Sequence, residues 1–327
     1  MDLTLGADDA QIAAMAADVM AKEAPLERWF GPGVDAAAHE DRLRRLAADL
    51  GWIGFGAPES VGGSAVSPVE EVLLFREIGR ALGPVSLSAA AVAARVAAVD
   101  APEVAARIVA GEAAVGLIVP ASGGRAWRLG AASGSLGLAF ADEILSLVEI
   151  GAAETGPGLD PTVTTQVVSR SGMVILAEGL GPDEGYRFAL LVAAQQLGMA
   201  EAALAASVAY GKLREQFGRP IGSFQAVRHR CVDMAGRCEK ARAQLFFAAV
   251  ALRDGAGNRG FQALAAAKVC EEAASRNARD NIFLHGAIGV TAENAAHLFL
   301  KRSLLWREVV RPQVVLERIA NGAGPAT

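Results

Sequence analysis

Between Lys212 and Met234 the chain reads Lys-Leu-Arg-Glu-Gln-Phe-Gly-Arg-Pro-Ile-Gly-Ser-Phe-Gln-Ala-Val-Arg-His-Arg-Cys-Val-Asp-Met, a stretch that sets Arg214 beside Gln216, Phe217 and Gln225. A guanidinium fork grips a phosphate or carboxylate through two parallel hydrogen bonds, amides add polar contacts, and an aromatic ring stacks on a flat ligand. Together these residue types suit a nucleotide. The same spacing also describes an ordinary helix end, in which Arg214 does no more than complement the helix dipole. A second stretch, His285-Gly286-Ala287-Ile288-Gly289-Val290-Thr291-Ala292-Glu293, carries glycines that end a helix and let backbone come close to another group.

Other chemistries lack their usual residues. Three cysteines, Cys231, Cys238 and Cys270, are too few and too scattered for a disulfide framework and form no Cys-x-x-Cys pair. Reduced, buried thiols are expected. His229, His285 and His297 show no metal-ligand spacing, and no Gly-x-Ser-x-Gly elbow, Walker loop or strand-linked Gly-x-Gly-x-x-Gly is present. A formal charge of −5, without a long basic run, argues against nucleic acid or an anionic membrane as partner. The acidic N-terminus lacks the order of a signal peptide, and no uncharged apolar run reaches the length of a membrane span. A soluble, cytoplasmic protein is expected.

The elements that must position these residues are mostly helical. The chain has 327 residues, 52% of them hydrophobic with many alanines and 6% aromatic, a composition suited to close-packed helices. Residues 1–112 read as a helical domain, with Leu50 to Gly63 as a turn-rich connector and helical spacing resuming over Glu70–Leu82. Residues 113–180 change to short apolar runs, Val115–Val119, Ile144–Val148, Val163–Val168 and Met173–Leu176, which predict a small β domain of about five or six strands. Residues 181–327 predict four long helices, over Gly185–Arg214, Phe224–Arg253, Gly260–His285 and Ala292–Ala320, in an antiparallel bundle. Gly218 and Pro220 are expected to stop the first of these, and Ser223 to cap the second.

The 212–234 stretch resembles the acyl-CoA dehydrogenase family. So do Leu50-Gly51-Trp52, Ala57-Pro58-Glu59, Gly62-Gly63 and Glu77-Ile-Gly-Arg-Ala-Leu82 in the N-terminal part, and Leu159-Asp160-Pro161-Thr162 is similar to a segment of short, divergent members. The resemblance implies a mainly α fold: an N-terminal helical domain, a middle β barrel much shortened here, and a C-terminal four-helix bundle. It also implies FAD as cofactor. Arg214, Gln216, Phe217 and Gln225 would reach that FAD across a subunit interface, with Gly286 and Gly289 near its phosphates. Where the family commonly has glutamine two residues before this His-Gly, the chain has Phe283.

The family's reaction is α,β-dehydrogenation of an acyl-CoA thioester, in which a carboxylate takes the α proton as the β hydride leaves for the flavin. The two positions used for that base fall on Phe188 and near Val310. Glu308 is the nearest acidic candidate, Glu184 precedes the first position, and Glu293 follows the glycine turn. Two readings share the fold. The chain is a dehydrogenase with a base such as Glu308, or a catalytically degenerate partner of a heteromeric dehydrogenase, similar to those acting on steroid and other bulky acyl-CoAs. A helical scaffold without its own flavin chemistry is the third. The resemblance further implies a homo-oligomer or a heteromer, with an electron-transferring flavoprotein as acceptor.

Overall fold

The computed structural model describes residues 6–31, 33–141 and 144–311. Their contacts gather into two compact units: one draws on residues up to 34, 75–82 and from 192 onward, the other on 35–74 and 83–191.

Five helices come first: α1 (Ala7–Glu23), α2 (Ala36–Asp49), α3 (Pro68–Arg80), α4 (Val85–Asp100) and α5 (Pro102–Val109). Asp35 caps α2 by accepting the amide of Ala38 at 3.0 Å, and Pro102 opens α5, where a missing N–H costs nothing. Helix α4 is built mainly of small apolar residues and is buried from Val85 through Ala94.

The seven strands that follow are β1 (Val115–Pro120), β2 (Arg125–Leu129), β3 (Leu136–Ala141), β4 (Ile144–Glu149), β5 (Ala153–Thr155), β6 (Thr165–Ser169) and β7 (Val174–Glu178). They form one sheet in the order β5-β6-β2-β1-β3-β4-β7, parallel between β1 and β3 and antiparallel elsewhere. Strand residues alternate between faces, so Ile118, Ala126, Val148 and Val168 build one apolar cluster with Ile150. Helix α4 packs against β1, β4 and β7. Sequence reasoning found β1, β4, β6 and β7 but not β2, β3 or β5: charged Arg125 and Arg128 mask the first, Gly137 interrupts the second, and the third has three residues.

Four long helices complete the described chain: α6 (Asp183–Leu213), α7 (Gln225–Arg253), α8 (Arg259–His285) and α9 (Ala296–Val310). Helix α9 starts at Ala296 rather than Ala292, because Asn294 accepts the Ala296 amide at 2.8 Å and fixes the first turn there. The expected end at Ala320 lies outside the described residues. Helix α6 is long and apolar enough by length and composition to cross a membrane, although Glu201 interrupts its uncharged run, and 83% of that window is buried within the protein.

In the first unit α3 and α6 touch backbone to backbone. A Cβ on Gly198 would stand 1.9 Å from the carbonyl oxygen of Arg76, and one on Gly79 2.2 Å from that of Gln195. Beside this crossing, the buried Glu201 accepts from Arg76 Nε at 2.8 Å, Arg80 Nη2 at 2.5 Å and Arg242 Nη2 at 2.6 Å. All three cysteines are free thiols. Burial pushes the Cys238 thiol up to about 11 and raises Cys270 as well, while burial and then Asp280 raise the half-buried Cys231. At pH 8 a disulfide reagent is expected to modify Cys231 slowly and the other two only after unfolding, since the thiolate is the reactive form. Fast reaction of all three in the native protein would contradict this packing.

Candidate functional site

The stretch from Lys212 to Met234 lies at one end of the helices of the first unit. Helix α6 ends at Leu213, and the Arg214 amide still donates to Tyr210 O at 2.8 Å. The helix therefore stops before Gly218 and Pro220 can stop it. What ends it is a hairpin, β8 (Glu215–Gln216) with β9 (Arg219–Pro220), whose two central residues both have positive φ, 53° at Phe217 and 76° at Gly218. That pair of angles suits a tight two-residue hairpin loop. Glycine accepts it freely; phenylalanine does so at a cost on the order of 1–2 kcal/mol. The same Phe217 is 92% exposed. Its ring meets Phe224 edge to face at 6.1 Å, and Arg219 covers Phe224 at 4.3 Å.

Ser223 does not cap α7. A 3-10 turn over Ile221–Ser223 shifts the helix start, so Phe224 occupies the cap position and the buried Ser223 hydroxyl has no hydrogen-bond partner among the described residues. Gln225 is then the first residue of α7, its amide nitrogen 3.4 Å from His229 Nε2. Gln216 folds its amide back onto the Glu215 carbonyl at 2.8 Å.

Helix α8 brings the glycine turn to this end. Ser207 of α6 donates to Asn281 at 2.9 Å, and Tyr210 stacks on His285 at 4.2 Å between centroids. The ring of His285 is fixed further by Nδ1 against the Asn281 carbonyl at 2.8 Å. Gly286 follows at φ 64°, ψ −142°, a conformation essentially reserved for glycine, and open space surrounds the place of its missing Cβ. Gly289 differs: it is buried, and a Cβ there would stand 2.8 Å from the Ile282 carbonyl and 3.0 Å from His285 Cβ. Its glycine serves the packing of the turn on α8.

The residues thus brought together are Arg214, Phe217, Gln225 and Gly286. The Arg214 guanidinium is exposed and has no hydrogen-bond or ion-pair partner among the described residues. A free fork, an exposed ring held in a strained turn, and an open glycine are what the phosphates and flat rings of a dinucleotide require. The donor set fits the adenosine diphosphate part of FAD. Sequence reasoning missed Tyr210, Asn281 and Arg230, whose partners come from other helices; Arg230 lies over Phe283 at 4.1 Å.

The candidate acids are placed otherwise. Glu308 is on α9 with its side chain 60% exposed, 3.7 Å from Arg307 and 3.5 Å from Arg311. Glu293 is exposed on the turn before α9. In the second unit Glu184 holds Arg95 through both oxygens at 2.8 Å. Arg95 also donates to the Gly56 carbonyl, and Arg187 pairs with the buried Glu71. Burial pushes the Glu71 carboxyl up, opposed by Arg187 and Arg95. Phe188, at one of the two base positions, is fully buried and meets Phe140 edge on at 5.5 Å. Glu308 and Glu293 are thus solvated, and Glu184 and Glu71 are engaged by arginines.

Comparison with known proteins adds an independent finding. The family model for the acyl-CoA dehydrogenase N-terminal domain matches residues 6–102, and that for the C-terminal domain residues 187–309. The chain is 34% identical to the acyl-CoA dehydrogenase FadE34 of Mycobacterium tuberculosis over 90% of its own length, but spans only 43% of that relative. It is 31% identical to the acyl-CoA dehydrogenase IpdE2 of the same organism, covering 88% of both chains. Its fold superimposes on a chain of the ChsE4-ChsE5 complex of M. tuberculosis with a TM-score of 0.81, at 22% identity and over all of both chains. The chain therefore belongs to the acyl-CoA dehydrogenase family, whose members are FAD-binding flavoproteins that oxidise a CH–CH bond.

Proposed function

We propose that this chain is a subunit of an FAD-dependent acyl-CoA dehydrogenase that acts on a bulky acyl-CoA thioester, and that it lends its bundle end to FAD shared with a neighbouring subunit. The observation that carries the reading is the combination of a free Arg214, a strained, exposed Phe217 and an open Gly286 joined through the Tyr210–His285 stack, against the lack of a carboxylate at either base position. A surface built to touch a ligand, in a chain without a placed base, is that of a helper. FAD, when bound, supplies the acceptor for the β hydride. Arg214 would hold a phosphate of it, Gln225 would donate an amide hydrogen, and Phe217 would cover a ring or close the interface against water. The α proton would go to a carboxylate of the other polypeptide, and an electron-transferring flavoprotein would take the electrons onward. That a chain of this fold occurs in the ChsE4-ChsE5 complex supports a heteromer.

The test is flavin stoichiometry in the visible spectrum of the chain produced alone and together with a full-length dehydrogenase partner. Flavin in the co-produced complex and not in the isolated chain is the expected result. Stoichiometric flavin in the chain alone would replace the subunit reading with an autonomous enzyme; none in either preparation would remove flavin from the account.

A further inference from the structure

Phe283 stands where the family commonly carries glutamine, in the last turn of α8, and the Gly286 amide donates to its carbonyl. It is 66% exposed. Single exposed apolar residues are ordinary. This one is held. Arg230 of α7 lies over one face of the ring, its guanidinium carbon 4.1 Å from the centroid, and Arg230 Nη1 is anchored by Asp280 at 2.5 Å. Asp280 also receives Arg237, whose Nε donates to the buried Asn277 at 2.7 Å. From Asn277 through Arg237, Asp280 and Arg230, a chain of charge-assisted hydrogen bonds leads from the bundle interior to one exposed ring.

We propose that the Arg230–Phe283 pair is a stacking platform for the adenine of the shared FAD, replacing the contact that a glutamine would make; this rests on the subunit reading above. One face of the ring is taken by the cation, and a cation bound there leaves the other face suited to a flat, electron-rich heterocycle. Arg230 keeps part of its charge at the surface, with its side chain 37% exposed, so phosphates attached to that heterocycle are favoured as well. A flat aromatic base carrying phosphates is a nucleotide. The isoalloxazine end of FAD is separated from the pyrophosphate by a ribityl chain, whereas the adenine lies one ribose away from it. A platform one helical turn from the open Gly286 therefore meets the adenine end.

Apo-complex titrated with FAD and, separately, with FMN, which lacks adenine, tests this. Base-on-aromatic stacking contributes about 1–3 kcal/mol, so Phe283→Ala is expected to weaken FAD binding by about tenfold or more. FMN binding should not change, and Phe283→Tyr should restore FAD affinity. Equal weakening of FAD and FMN, or no weakening of either while Arg214→Ala weakens FAD, would overturn the platform and leave the subunit reading standing. If neither Phe283→Ala nor Arg214→Ala affects FAD, both fall together. An unchanged thermal midpoint in Phe283→Ala separates a lost contact from a lost fold.

Discussion

Glu201→Ala is expected to destabilise the protein by about 3–5 kcal/mol, measured as a shift of the urea midpoint with little change in slope. The carboxylate is 6% exposed and is the common acceptor for Arg76, Arg80 and Arg242. Glu77 and Glu239 remain close to those arginines, at 2.8 Å from Arg80 and 2.5 Å from Arg242. They cannot replace it, because Glu77 is already engaged and Glu239 is 68% exposed, where an ion pair contributes little. Removing the shared acceptor leaves three gathered guanidinium groups without their common anion, and that residual repulsion is the main part of the effect. Glu201→Gln keeps the volume and one acceptor oxygen but not the charge, so it should fall between wild type and alanine. A loss below about 0.5 kcal/mol for the alanine variant, the range of an ordinary surface substitution, would show that the arginines do not depend on Glu201.

Arg214→Ala should behave in the opposite manner, leaving the fold intact while weakening FAD in the co-produced complex by about 10- to 100-fold. That range corresponds to the roughly 1.5–3 kcal/mol of hydrogen bonds to a charged group. With no partner for its guanidinium among the described residues, removal breaks no internal contact, so the melting temperature of the chain should hardly move. Arg214→Lys keeps the charge and loses the fork, and a partial loss is expected. Retained flavin in Arg214→Ala would mean that the arginine acts only at the end of α6.

Much of this arrangement was legible beforehand, and for identifiable reasons. The long alanine-rich helices announce themselves through apolar spacing, and the end of α6 was placed to within one residue. The hairpin at Phe217 was not foreseen, since Phe-Gly is not a usual pair for a loop that needs two positive φ angles. Ser223 looked like a cap because its residue type is right; only the preceding 3-10 turn moves it out of position. Among the candidate site residues, Arg214, Phe217 and Gly286 could be proposed from type and local order. The stack of Tyr210 on His285 and the cover of Arg230 over Phe283 join positions 75 and 53 residues apart, and local order carries no such information. The same holds for Glu201, whose arginines come from two other helices.

The crossing of α3 and α6 at Gly79 and Gly198 also bears on how the chain is made. Each glycine lies against backbone of a helix that emerges more than a hundred residues away in sequence. At a synthesis rate of about 5–20 residues per second, the end of α3 from Phe75 to Arg80 waits roughly 6–24 seconds before Gln195 and Gly198 exist. Until then Gly79 and Arg76 have no backbone of α6 to meet. The first unit therefore assembles around a segment held in reserve during translation. A chain cut before residue 192 keeps that segment and loses every later residue that gives it a place.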